Sequence, residues 1–248
     1  MSNILPQLKL FVGFDYRETS NYAVCCTSAV DRASRFLPIT GLVLEKLIDA
    51  GLYKRPIQTD PNTGQLWDPI SGAPMSTQFA ISRFLTPTLA REGWALFVDC
   101  DVLFRANPWD ILQHADPDKA VICVKHNYVP ESEVKKQGAI QTKYSRKNWS
   151  SVMLFNCDHP SNKKLTVDLV NSVPGRDLHG FCWLKDEEIG ELPVEWNFLV
   201  GVSKPGEGEP KLVHWTEGSP ALPDYRDTLY SDEYFKTLHT WAYRGVYS

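Results

Sequence analysis

The chain has 248 residues, 43% of them apolar and 23% charged, a balance ordinary for a soluble globular protein with room for a sizeable core. Its net charge of -4 argues against a broad electrostatic grip on nucleic acid or on an anionic membrane and leaves room only for local basic patches. Six cysteines are scattered without a Cys-x-x-Cys pair, no apolar stretch approaches membrane-spanning length, and residues 1–9 lack a signal-peptide layout, so a reduced, cytoplasmic setting is expected.

In chain order, Leu8 to Phe14 reads as a first strand running into Asp15-Tyr16-Arg17, with Gly13 permitting close backbone approach. A helix over about 20–34 and a strand over 39–44 complete a strand–helix–strand opening, which predicts a parallel α/β sheet. Residues 53–74 are polar and rich in Pro, Gly, Asp and Thr. They read as a long loop, a candidate flap over a site. Ser76 is placed to cap a helix running to about Glu92, with Phe79, Ala80, Phe84 and Leu85 on its inner face. Arg83 lies beside that face, and either snorkels to solvent or meets a phosphate or a carboxylate.

The run Trp94 to Val98 is uninterrupted apolar and reads as a strand buried on both faces. It ends in Asp99-Cys100-Asp101. Residues i and i+2 of an extended chain share a side, so both carboxylates face one point, and their mutual repulsion calls for a cation. Ligands of open α/β sheets collect just beyond the carboxyl ends of strands, where this pair lies. An acidic turn is the plainer alternative for so short a motif. A short helix then starts at Asn107, and Ala120 to Val124 is another buried strand, followed by Lys125-His126-Asn127-Tyr128. Residues 131–147 are polar and basic, either a solvated loop or a patch for an anionic substrate. Strands over 152–156, 192–197 (an edge, given Pro193) and 211–214 alternate with helices over 163–173, 179–188 and 231–243. A single domain over 1–248 is expected, with 219–248 as a C-terminal helical extension.

His214 closes the last strand, and its weight comes from the company of Asp99 and Asp101. Two carboxylates and one imidazole, with further positions left to water and phosphate oxygens, suit Mn²⁺ or Mg²⁺ better than a closed zinc site.

Four stretches, in order, resemble the GT-A glycosyltransferases, most closely the retaining family 8 that includes glycogenin and bacterial galactosyltransferases. They are Gly13-Phe14-Asp15, Phe79-Ala80-Ile81-Ser82-Arg83, Asp99-Cys100-Asp101 and His214-Trp215-Thr216-Glu217-Gly218. The resemblance implies a GT-A, Rossmann-like α/β fold: a mixed, mostly parallel sheet flanked by helices. It implies transfer of a sugar from a nucleotide-diphosphate sugar, a UDP-sugar foremost, to an acceptor hydroxyl with retention. In that frame Gly13, Phe14, Asp15 and Arg17 attend the nucleoside end of the donor, and Arg83 and Gly218 lie near its phosphates. Asp99, Asp101 and His214 hold the metal, with Asp99 also at the donor, and Asp186 and Glu187 match the family's catalytic acidic segment. Two features depart from the pattern. Trp149-Ser150-Ser151 replaces an Asn-Ala-Gly, and the lysine after the late histidine is absent from Gly218-Ser219-Pro220-Ala221. The acceptor stays open among glycan, small molecule, protein and modified nucleic acid. A catalytically degenerate nucleotide-sugar-binding protein and a glycosyltransferase of modified nucleic acid are the rival readings. A sugar-1-phosphate nucleotidyltransferase ranks below them, because the turn after the first strand has only Gly13.

Overall fold

The computed structural model describes residues 7–127, 146, 148–204 and 208–247. The basic segment at 131–147 lies outside the described residues except for Arg146, as do residues 1–6. In chain order the first half holds β1 (Leu8–Gly13), α1 (Thr19–Arg32), β2 (Ile39–Leu42), α2 (Leu44–Asp49), β3 (Gln58–Thr59), β4 (Leu66–Asp68), β5 (Ala73–Met75), α3 (Thr86–Ala90), β6 (Trp94–Val98), β7 (Val102–Phe104) and β8 (Val121–Cys123). The second half holds β9 (Val152–Asn156), α4 (Val167–Ser172), α5 (Gly175–His179), β10 (Ile189–Glu191), β11 (Phe198–Leu199), β12 (Leu212–His214) and α6 (Ser231–Tyr247).

The main sheet has six strands in the order β10-β8-β9-β6-β1-β2. β6 pairs in parallel with β1, β1 with β2, and β10 with β8, while β9 runs antiparallel to both its neighbours. This is the mixed, mostly parallel sheet that the GT-A resemblance implies; the strand–helix–strand opening accounts for the parallel pair β1–β2. The apolar runs explain its centre. Ala95 to Val98 of β6 and Val152 to Phe155 of β9 are fully buried, because these inner strands are covered on both faces. Each such large apolar side chain contributes about 1.5–3 kcal/mol on burial.

A second sheet, β11-β12-β7, decides where the site lies. The chain leaves the main sheet at Val98 and joins the small sheet at Val102, so Asp99-Cys100-Asp101 bridges the two. β12 pairs antiparallel with β7, and the register sets His214 opposite Val102, one residue from Asp101. Val24, Leu103, Val200, Val213, Trp215 and Tyr234 form a smaller core that packs α1 and α6 onto this sheet. Among the described residues no helix is long and apolar enough to cross a membrane.

Several elements differ from the sequence expectation. The stretch read as a loop at 53–74 contains the antiparallel meander β3-β4-β5. Its alternation is masked because an inward position of β4 is a charged residue, Asp68, which is buried and paired with Arg55. The Arg55 guanidinium also donates to the carbonyls of Val170 and Val173 at the carboxyl end of α4, at 2.9 and 2.8 Å. The helix expected over 76–92 is a 3₁₀ turn at Ser82–Leu85 leading into the short α3, which restarts with Pro87 in its first turn. The helix expected over 163–173 is a 3₁₀ turn (Pro160–Lys164) followed by α4, whose cap is Thr166. Over 179–188, where a helix was expected, α5 (Gly175–His179) ends, Phe181 takes a left-handed conformation (φ 58°), and only a 3₁₀ turn at Asp186–Glu188 follows. The edge strand expected over 192–197 is instead a 3₁₀ turn at Val194–Asn197 started by Pro193, and the sheet edge is β10. No helix was expected at α2.

Candidate functional site

Asp99, Asp101 and His214 converge: one ligand atom from each lies within 4.8 Å of the others. The backbone holds the turn at both ends, since Asp99 N–H donates to Ser151 C=O at 2.9 Å and Trp215 N–H donates to Asp101 C=O at 3.1 Å. Arg83 is 6% exposed and sits under this turn rather than snorkelling. Its Nη1 lies 2.8 Å from Asp99 Oδ1 and donates to Ser150 C=O at 2.9 Å, while Nε donates to Ala80 C=O at 3.1 Å. The guanidinium also lies 5.4 Å from the Phe79 ring and 5.1 Å from the Phe97 ring. Arg83 therefore meets a carboxylate, as one of its two expected fates required.

His214 is 2% exposed, and its ring is oriented by Asn197. Its Nδ1 is 2.9 Å from Asn197 Oδ1, and its Nε2 is 3.2 Å from Asp101 Oδ1. The Asn197 amide nitrogen donates to Ser151 Oγ at 3.0 Å and to Asn148 C=O at 3.3 Å. Since a carbonyl only accepts, the amide orientation is set, and its oxygen faces the histidine. Nδ1 must then carry the hydrogen. A bare Nε2 would present its lone pair to a carboxylate oxygen, an unfavourable arrangement until a proton or a metal cation lies between them. Two carboxylates and an Nδ1–H imidazole with Nε2 directed inward match a hard divalent cation that keeps further positions for oxygen ligands.

Around this triad lie further groups, among them His126, which the sequence places at the carboxyl end of a buried strand. Glu18 Oε2 accepts from Asn21 Nδ2 at 3.1 Å and from the Cys100 thiol at 3.3 Å, and Tyr234 O–H of α6 donates to Asn21 at 2.8 Å. Burial, and then the charge of Asp101, push the Glu18 carboxyl up to about 7. His126, just past β8, is pushed down to about 4 by burial and by neighbouring His214, so it is neutral near pH 7. No short motif marks Glu18 or Asn197 in the sequence, because their partners are distant in the chain.

The remaining expected residues divide. Asp15 is fully buried at the end of β1; it accepts from Arg17 N–H and Nε at 2.9 Å each and from Gln78 N–H at 3.0 Å. Burial raises its pKa, but the hydrogen bonds from Arg17 and Gln78 outweigh burial and hold it below the usual carboxylate range. Arg17 in turn donates to Ser76 C=O at 3.0 Å. Phe14 packs edge-on against Tyr22 at 5.1 Å. The bareness of Gly13 has a local cause, since a Cβ there would come within 2.4 Å of the Phe79 ring; at Gly218 a Cβ would meet the Tyr225 ring at 2.5 Å. Asp186 and Glu187 are not brought to the triad. Both are exposed and pair with Arg146 and Lys185 respectively. Strand registers set Ile189, just after them, level with Ala95, four residues and roughly 13 Å of strand before Asp99.

No protein-family model matches the chain. It is 42% identical over 238 residues to "Protein CDI" of Arabidopsis thaliana, covering 94% of this chain and 86% of that protein. Among solved structures it resembles WbbM, a bifunctional glycosyltransferase, at a TM-score of 0.62 and 13% identity over 96% of this chain, and it spans 50% of that longer chain. It also resembles the galactosyltransferase LgtC, solved with donor and acceptor sugar analogues, at a TM-score of 0.57 and 14% identity over 94% of this chain and 95% of LgtC. A third similar structure is the glycosyltransferase GlyE of Streptococcus pneumoniae TIGR4, at a TM-score of 0.57 and 14% identity, covering 98% of this chain and 64% of GlyE. The chain therefore belongs to the same protein family as Arabidopsis Protein CDI, and its domain has the GT-A glycosyltransferase fold.

Proposed function

We propose that this chain is a metal-dependent glycosyltransferase that moves a sugar from a nucleotide-diphosphate sugar, a UDP-sugar foremost, to an acceptor hydroxyl. The observation that carries the reading is the convergence of Asp99, Asp101 and His214 beyond the carboxyl end of β6, with His214 Nε2 directed at Asp101. Asp99, Asp101 and His214 would hold Mn²⁺ or Mg²⁺. When bound, such a cation supplies charge neutralisation on the departing diphosphate. Arg83 fixes one Asp99 oxygen and brings a buried positive charge to the same corner. Asp15 organises the turn after β1, so a nucleoside placed there meets a preset backbone rather than a mobile one.

Retention follows from the resemblance to family 8 and belongs to the proposal. The position of Asp186 and Glu187 favours the route in which the acceptor oxygen bonds to the anomeric carbon as the carbon–diphosphate bond breaks. The acceptor proton then passes to the departing diphosphate oxygen. The same position, together with Trp149-Ser150-Ser151 and the lysine absent from Gly218-Ser219-Pro220-Ala221, supports the rival reading, a nucleotide-sugar-binding protein without turnover. Release of UDP from UDP-sugars with Mn²⁺ separates the two. The proposal expects metal-dependent release by the wild type and its loss in Asp101→Ala with the fold retained. Unchanged release in that variant, or none from the wild type with any nucleotide sugar, overturns it.

A further inference from the structure

Besides its three candidate ligands, the metal corner contains a polar relay with no sequence motif. Asn197 is completely buried in the 3₁₀ turn that precedes β11. It touches His214 through its oxygen and the start of β9 through its nitrogen. On the β9 side, Ser151 O–H donates to Asn148 C=O at 2.7 Å, so the Ser151 oxygen is left to accept from Asn197. Asn148 takes a left-handed conformation (φ 65°), which points its carbonyl back toward both groups. Every hydrogen in the chain Asn148–Ser151–Asn197–His214 thus has one direction, and the direction ends with a hydrogen on Nδ1. The alternative amide orientation would set the Asn197 oxygen against Asn148 C=O, two acceptors in contact within a buried site.

We propose that Asn197 is a positioning residue for the cation site: it holds His214 in the Nδ1–H form with Nε2 presented to the metal, and Ser151 and Asn148 hold Asn197. The inference rests on the metal-binding reading above and assigns a job to residues outside the ligand set. It also gives Ser151, which departs from the Asn-Ala-Gly pattern, a function that glycine or alanine at that position lacks, because the hydroxyl both accepts from Asn197 and donates to Asn148. A hydrogen bond to the far nitrogen of a metal-ligating histidine typically changes metal affinity by about 10–100-fold.

The test is Mn²⁺ binding alone, read by the loss of the free Mn²⁺ electron-paramagnetic-resonance signal, in wild type, Asn197→Ala, Asn197→Asp and Ser151→Ala. Asn197→Ala is expected to weaken Mn²⁺ by about 10–100-fold. Asn197→Asp keeps an acceptor for Nδ1–H, and Ser151 turns to donate to its second oxygen, which offsets in part the contact of that oxygen with Asn148 C=O; affinity is expected to stay well above that of Asn197→Ala. Ser151→Ala removes one support of Asn197 and is expected to fall between the two. If Asn197→Ala fails to fold, the ordering of Asn197→Asp above Ser151→Ala decides. Wild-type affinity in Asn197→Ala or Ser151→Ala, with Mn²⁺ bound by the wild type, overturns the relay and leaves the metal site standing. Absence of Mn²⁺ binding by the wild type overturns the metal site and the relay together.

Discussion

Replacing Glu18 by Gln tests the electrostatics of the site without touching a candidate ligand. Burial and the nearby Asp101 charge raise the Glu18 carboxyl from an ordinary value of 4.5 to about 7. A raised carboxyl keeps its proton in the folded chain while the unfolded chain releases it, so stability falls as pH rises from 4.5 to 7 and stays reduced above that. The full penalty, at about 1.4 kcal/mol per unit, is roughly 3 kcal/mol near pH 8, and below about 1 kcal/mol at pH 5. Glutamine keeps an oxygen to accept from Asn21 and Cys100 and cannot ionise. Glu18→Gln is therefore expected to be more stable than wild type by roughly 3 kcal/mol at pH 8, a rise of about 6–12 °C in Tm for a chain of this size. At pH 5 the two should nearly coincide. Mn²⁺ beside Asp101 offsets the repulsion, so saturating metal should shrink the pH 8 difference. Urea unfolding at both pH values, with and without Mn²⁺, measures all of this. An equal difference at pH 5 and pH 8 would show that the Glu18 carboxyl is not raised in the folded chain.

Three further outcomes follow from the packing. Arg55→Met leaves Asp68 buried without its partner and uncaps the carboxyl end of α4; urea unfolding should show a loss of about 3–5 kcal/mol, and a loss under about 1 kcal/mol would contradict the role given to this pair. Gly13→Ala drives a methyl into the Phe79 ring and should cost about 1–3 kcal/mol in the same assay, whereas unchanged stability would mean that Phe79 can move aside. Arg83→Lys cannot reach Asp99, Ser150 and Ala80 together from one ammonium group, and should lose about 2 kcal/mol in stability; wild-type unfolding would show that Arg83 is not needed as a fork.

What the sequence made legible was local in character. The apolar run of β6 ending in Asp99 and Asp101, the buried runs of β8 and β9, and the strand ending at His214 were all readable because burial on both faces writes an uninterrupted pattern. What escaped depends on partners far apart in the chain. The meander at 58–75 is pinned by Arg55, Asp68 and two carbonyls of α4, so its inward face carries charge where periodicity expects an apolar residue. The segments at 179–188 and 192–197 turn on single backbone events at Phe181 and Pro193 that a helical or alternating pattern does not register. At the site, the triad was named from spacing and resemblance. Asn197 and Glu18 were not, because each acquires its meaning from contacts with His214 and with Cys100 that only the folded chain creates.

The central claim is a metal-dependent nucleotide-sugar site, and one thermal-shift panel tests it most directly: UDP-, GDP-, ADP- and TDP-sugars, each with and without Mn²⁺, on wild type and Asp101→Asn. One nucleotide, UDP foremost, is expected to raise Tm only when Mn²⁺ is present, since a ligand that binds the folded state stabilises it by mass action, and Asp101→Asn is expected to abolish the shift. Equal stabilisation without metal, an undiminished shift in Asp101→Asn, or no shift with any of the four would contradict it.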